Sequence, residues 1–230
     1  MGTQSRAPST APRYPPAVIL SARTRRLARP AALLAAIVLA LAACSGAAPT
    51  PSVLMLPGAT TPPMGTRDTA YNPARPAPAL ALTDQDGKPF DLTSLRGTPV
   101  FVYFGYTHCP DVCPTTLADV RAAIAQAGIP AKLVMVTVDP ARDSPAWMKT
   151  YLEAYKAGFI GLTGSDAQIA AAAAAWGVSY KAEPADSNGN YVMDHTSDVY
   201  LVDASGMLRH HIFFGAGSSL IAQILKSVAG

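Results

Sequence analysis

Charge is scarce in this chain: Asp, Glu, Lys and Arg make up 14% of its 230 residues, and aromatic residues only 7%. The 18 basic residues outnumber the 15 acidic ones, but six arginines (Arg6, Arg13, Arg23, Arg25, Arg26 and Arg29) lie in the first 43 residues, which contain no acid. Without that segment, 12 basic residues face 15 acidic ones, a net charge of −3. The basic character of the whole chain is thus a property of its leader, and the remainder offers no surface suited to nucleic acid. The apolar run Ala31–Ala43 spans 13 residues. About 20 are needed to cross roughly 30 Å of hydrocarbon, so this run is too short for a spanning helix. Cysteine is also rare, with three in all: Cys44, Cys109 and Cys113.

The arginine-rich start, the short apolar run and the setting Leu41-Ala42-Ala43-Cys44 resemble a bacterial lipoprotein signal peptide, cleaved before a cysteine that receives lipid. The alternative is an uncleaved signal anchor. On this reading residues 1–43 are a signal peptide and the protein is a cell-membrane lipoprotein, held through lipid on Cys44 with its domain on the extracytoplasmic side, periplasmic or outer. Residues 44–78 are rich in Pro, Ala, Thr and Gly, with Pro49, Pro51, Pro57, Pro62, Pro63, Pro73, Pro76 and Pro78. Such a stretch buries too little apolar surface to offset its ordering and reads as a semi-extended tether. Within it, Val53-Leu54-Met55-Leu56 reads as membrane-surface contact or a short local strand rather than a methionine copper site. Residues 79–230 form one domain, long enough for a full core.

Two cysteines sit where an apolar run meets a helix entrance. Val100–Phe104 is continuously β-branched and aromatic, the pattern of a strand buried on both faces. Pro114 lacks an N–H and fits only a helix's first turn, so a helix over about 114–126 begins at or just before Cys113. The positive end of that helix favours thiolate over thiol by about 0.3–1 kcal/mol. Paired thiols so placed do redox or soft-metal chemistry. A purely structural disulfide is the plain alternative, but closing a ring of about five residues removes only about 2 kcal/mol of unfolded-state freedom before strain. The cysteine usage agrees with an oxidising compartment.

The element order fixes the expected fold class. Leu80–Leu82 and Pro89–Leu92 flank Asp86-Gly87, a hairpin signal. Strands then alternate with helices: 100–104, helix 114–126, 133–138, helix 144–157, 160–162 and helix 165–176. Strands at 178–182, 199–202 and 208–213 and a final helix at about 218–228 follow. Ser144 with Pro145, and the Ser165/Gln168 capping box closed by Gly177, mark helix boundaries. This is an α/β chain in thioredoxin-like order with an N-terminal β-hairpin extension. Two thioredoxin features are missing. Three residues separate the cysteines, not two, and no proline precedes the strand that should face them, where the sequence reads Met193-Asp194-His195-Thr196-Ser197-Asp198-Val199. An imidazole there could complete a Cys/Cys/His set, whose soft sulfurs and borderline nitrogen suit Cu(I) and accept Cu(II) if a further ligand joins.

FGYTHCPDVCPTTL, VDPARDSP and DHTSDVYLVDASG resemble, in order and interval, the three signature blocks of the Sco/SenC family of copper-binding assembly factors for cytochrome c oxidase. The resemblance runs from about Ala79 to Phe214. It implies a thioredoxin-like fold, copper ligation by Cys109, Cys113 and His195, attachment to the membrane near the N-terminus, and delivery of copper to the binuclear copper centre of oxidase subunit II. A copper-loading periplasmic chaperone would be a further partner. The lipid-type tether departs from the transmembrane helix common in the family.

Three functional readings stay open: a copper chaperone, a thiol–disulfide oxidoreductase in which Cys109 and Cys113 are the catalytic pair, and a zinc protein. His195 lies 82 residues beyond Cys113, not at zinc-finger spacing. Asp139, Arg142 and Asp143 sit in a loop after a core strand, either structural or a partner-docking element. His108 could tune its neighbour Cys109. His210 and His211 alternate across a strand and cannot both line one site. Asp194 either orients His195 or faces solvent. Tyr103, Tyr106 and Trp176 read as core or rim.

Overall fold

The structure, a computed structural model, describes residues 67–229. The leader, Cys44 and the Val53–Leu56 segment lie outside the described residues. Ten strands and four α-helices follow in the order β1 (Asp68–Pro76), β2 (Ala81–Asp84), β3 (Pro89–Asp91), β4 (Val100–Gly105), α1 (Val112–Ala127), β5 (Lys132–Thr137), α2 (Pro145–Glu153), β6 (Ile160–Thr163), α3 (Asp166–Trp176), β7 (Tyr180–Ala182), β8 (Met193–His195), β9 (Val199–Val202), β10 (Met207–Ile212) and α4 (Gly217–Val228). A short 3₁₀ turn, Leu92–Leu95, separates β3 from β4.

Eight strands form one mixed sheet in the order β1-β10-β9-β4-β5-β6-β2-β3. β4, β5 and β6 are mutually parallel, whereas β9 runs antiparallel to β4. All six residues of β4 are buried, as expected for an apolar strand with no solvent face. The expected hairpin is β2–β3, paired antiparallel around Asp86-Gly87. Helix α1 packs against α4, and α2 against β6. The core takes Phe101, Tyr103, Phe104, Leu117, Leu133, Met135, Met148, Leu162 and Trp176, each at most 1% exposed.

Three local expectations change. Residues 68–76, expected in the tether, form β1, which pairs antiparallel with β10. Pro73 and Pro76 are tolerated because β1 is a sheet edge, where a missing N–H breaks no inner ladder, so ordered structure begins before residue 79. The helix expected over 144–157 stops at Glu153, and Lys156 adopts a positive φ of 50°. Finally, β8 was not expected: its three residues carry no apolar alternation and pair only with β7, in a separate two-stranded ribbon.

Pairing geometry brings three loops to one edge. Gly105 at the end of β4 lies beside Thr137 at the end of β5, so the segments 106–111 and 138–144 leave the sheet side by side. Because β9 is antiparallel, with Val199 opposite Tyr103, the residues just before β9 reach the same edge.

Candidate metal centre

Helix α1 begins with Val112, and the Asp111 side chain does not cap it. The Cys113 N–H instead donates to the Cys109 sulfur at 3.3 Å. One cysteine therefore takes a helix-entrance N–H while the other rides on the first turn, with Pro114 beside it where a missing N–H costs nothing. Both thiols are free. Cys109 is partly exposed and Cys113 fully buried.

His195, at the end of β8, brings its Nε2 to 3.6 Å from the Cys113 sulfur. Its Nδ1 lies 3.0 Å from the Thr196 carbonyl oxygen. A carbonyl can only accept, so Nδ1 carries the proton and a neutral ring presents its Nε2 lone pair to the sulfur, the arrangement that fixes a metal-binding imidazole. Burial holds the His195 pKa below its ordinary 6.5, which keeps that lone pair available. The ring packs edge-on against Tyr106 and Tyr103, with centroids 5.8 and 6.3 Å away.

The expected preference for thiolate does not hold at the buried cysteine. Burial pushes the Cys113 thiol up to about 12, because removing a sulfur anion from water outweighs the helix-end contribution. Burial likewise raises the Tyr103 phenol beneath it, and the Tyr103 hydroxyl has no hydrogen-bond partner. Gly105 makes this crowding possible: a Cβ there would stand 2.5 Å from Tyr103 Cε1 and 3.2 Å from the Cys113 sulfur.

Cys113 and His195 are thus brought together, and Cys109 is joined to them through the Cys113 N–H. Among the described residues no three His, Cys, Asp or Glu side chains already stand together as a closed metal set. A soft-metal ion still suits the donors present, two sulfurs and an imidazole nitrogen whose tautomer is already set. A cavity of about 310 Å³ opens beside Cys109 and His195, lined also by Tyr106, Pro110, Val192 and Met193.

The remaining candidates sort by contact. His108 stacks on Trp147 at 5.9 Å and approaches Asp143, not the sulfurs. His210 and His211 point to different partners, Asp68 and Asp198, each at 2.8 Å. Asp194 makes no hydrogen bond to His195. Trp176 and Tyr103 are core residues. Sequence reasoning missed Tyr191 and Trp147, whose hydrogen bonds to Asp139 and Thr107 arise from contacts between distant segments and leave no local pattern.

A family profile for SCO1/SenC matches residues 69–230. A protein of Stutzerimonas stutzeri that carries a copper-binding name is 42% identical over 144 residues, covering 60% of this chain and 69% of that one. The copper-bound structure of ScoI from Bradyrhizobium japonicum is 37% identical, covering 66% of this chain and 98% of that one, with a TM-score of 0.58. Copper-bound yeast Sco1 is 28% identical over 67% of this chain and 88% of its own, with a TM-score of 0.60. The fold is thioredoxin-like, as in these Sco structures, and the chain belongs to the SCO1/SenC family.

Proposed function

We propose that this chain is a membrane-tethered copper carrier that binds one copper ion through Cys109, Cys113 and His195 and delivers it to the binuclear copper centre of cytochrome c oxidase subunit II. The observation that carries the reading is the neutral His195 ring, locked by the Thr196 carbonyl with Nε2 aimed at the Cys113 sulfur 3.6 Å away. Dithiol exchange does not require such a ring; a three-coordinate copper site does. Two copper-bound structures among the relatives support copper as the metal. Lipid on Cys44 and the tether that follows hold the domain at the extracytoplasmic membrane face, where a flexible connection raises the effective concentration of the domain near a membrane-bound recipient.

Titration of the reduced protein with Cu(I) and Cu(II), each with absorption spectra, tests this. One copper per chain is expected, with tight binding abolished by Cys109→Ala or Cys113→Ala. His195→Ala is expected to weaken Cu(II) most, since Cu(II) favours nitrogen more than Cu(I) does, while leaving disulfide formation intact. One tightly held copper in the double cysteine variant would refute the assignment.

A second reading, a thiol–disulfide oxidoreductase that reduces the cysteines of the target site, is favoured by the asymmetry of the pair. Cys109 is accessible to a partner disulfide, and Cys113 lies buried behind it, the layout of an attacking and a resolving thiol. Loss of disulfide exchange in His195→Ala with copper binding retained would favour that reading.

A further inference from the structure

The loop Asp139–Asp143 grips both halves of the metal centre. On the cysteine side, the Asp143 carboxylate is fully buried and accepts from the Thr107 N–H at 3.0 Å, the Thr107 hydroxyl at 2.6 Å and the Thr137 hydroxyl at 2.7 Å. The Trp147 indole N–H donates to the same Thr107 hydroxyl at 2.7 Å. Thr107, two residues before Cys109, is therefore held through both its backbone and its side chain. On the histidine side, Arg142 donates to the Tyr191 carbonyl at 2.9 Å, and its guanidinium lies 3.5 Å from the centroid of the Tyr191 ring. The Tyr191 hydroxyl donates to Asp139 at 2.8 Å, and Asp139 also pairs with Arg142. Tyr191, four residues before His195, is thereby fixed at its backbone, ring face and hydroxyl. The remaining buried guanidinium nitrogen of Arg142 has no hydrogen-bond partner; the guanidinium carbon lies 5.8 Å from the centroid of the Tyr106 ring, which in turn packs against His195.

This double grip matters because the β7–β8 ribbon that carries His195 joins no strand of the main sheet. The short link to β9 brings it to this edge of the sheet, and what holds it over the dithiol beyond that link is side chains. We propose that the Asp139–Asp143 loop is a clasp that sets the separation of His195 from the two sulfurs, with Arg142 and Asp139 positioning the histidine and Asp143 positioning the cysteine loop. Five consecutive residues thus place ligands that are 82 positions apart in the chain. The role deepens the copper reading and rests on it, but the clasp also acts on the metal-free protein. Partners of metal ligands typically cost 10–100-fold in metal affinity when removed.

The test uses the purified full chain with Arg142→Ala, Arg142→Lys and Tyr191→Phe, alongside His195→Ala as the reference for a lost histidine ligand. Arg142→Ala is expected to weaken Cu(II) by about tenfold or more and to shift its spectrum toward that of His195→Ala, with Arg142→Lys restoring part of the loss. Disulfide reduction of the Cys109/Cys113 pair should stay at the wild-type rate, which separates misplacement of His195 from general damage. In the metal-free protein, the His195 ring-proton resonances, displaced by Tyr103 and Tyr106, should move toward free-imidazole values in Arg142→Ala. Should Arg142→Ala fail to fold, Tyr191→Phe, which removes one hydroxyl, carries the same expectations at smaller amplitude. Wild-type Cu(II) spectra and unmoved His195 resonances in a folded Arg142→Ala or Tyr191→Phe variant would overturn the clasp. If wild-type protein bound no copper while the resonances still moved, the copper reading would fall and the clasp would stand.

Discussion

Gly105→Ala adds one methyl group to the last residue of β4, and the structure places that methyl against two groups that cannot yield equally. It would lie 2.5 Å from Tyr103 Cε1, 3.1 Å from Tyr103 Cζ and 3.2 Å from the Cys113 sulfur. The Tyr103 ring is fully buried and packed edge-on against His195, so relief must come from moving the ring, the sulfur or the strand. Overpacking of this kind costs about 1–3 kcal/mol. In a unit of about 160 residues, a loss near 2 kcal/mol lowers the thermal midpoint by roughly 4–8 °C. The same methyl crowds the Cys113 sulfur at 3.2 Å, so on the copper reading a displaced sulfur should also weaken copper binding. Gly161→Ala is the control. Its methyl would meet Leu152 Cδ1 at 2.8 Å, Met148 Cε at 2.9 Å and Met148 Cβ at 3.2 Å; the two shortest contacts are flexible side-chain ends and neither cysteine sulfur is among the three. It should lower the midpoint less and leave copper affinity unchanged. Thermal unfolding of the metal-free reduced protein and competition titration with Cu(I) read both effects. A Gly105→Ala protein with wild-type midpoint and affinity would refute the crowding argument.

Three further outcomes are expected. Burial depresses the folded-state pKa of His195 below 6.5, so its contribution to stability is present above pH 6.5 and is lost as pH falls, because the unfolded chain then takes up a proton that the folded ring resists. Denaturant unfolding of metal-free wild type and His195→Gln between pH 7.5 and 5 should show the steeper loss in wild type, and parallel curves would exclude the effect. The mature protein is expected to start at Cys44 with lipid attached, and mass spectrometry of membrane-extracted protein would contradict this by finding an unacylated chain that retains earlier residues. Deleting the gene should lower assembled oxidase activity under copper limitation, with rescue by added copper; rescue by a mild reductant but not by copper would point to the oxidoreductase role.

The sequence showed most clearly what is encoded locally. The buried run of β4, Pro114 in the first turn of α1, Ser144 and Pro145 at the start of α2, and the Ser165/Gln168 capping box of α3 all appear where residue chemistry places them. What escaped depends on partners distant in the chain. Residues 68–76 look like more proline-rich tether until β10 supplies the strand they pair with. β8 exists because β7 lies opposite it. The Asp139–Asp143 loop reads as either a structural loop or a partner-docking element, and its hold on Thr107 and Tyr191 spans 36 and 49 residues. Helix-end electrostatics could be inferred from Pro114; the burial that opposes them could not.

That opposition decides how the two cysteines divide their work. A helix entrance contributes about 0.3–1 kcal/mol toward an anion. Raising the Cys113 thiol from its ordinary 9.0 to about 12 corresponds to roughly 4 kcal/mol against it, at about 1.4 kcal/mol for each tenfold. Burial therefore wins at Cys113, and its sulfur keeps its proton at neutral pH until a metal or a disulfide partner displaces it. The helix N–H that could stabilise a sulfur anion is directed at Cys109 instead, and Cys109 is the sulfur a partner can reach. On the proposed copper reading, an incoming ligand or disulfide meets Cys109 first, with Cys113 and His195 lying behind it. The same order of engagement would serve copper capture and thiol exchange alike; what tells them apart is His195→Ala, which the copper reading expects to weaken Cu(II) binding while leaving disulfide formation intact.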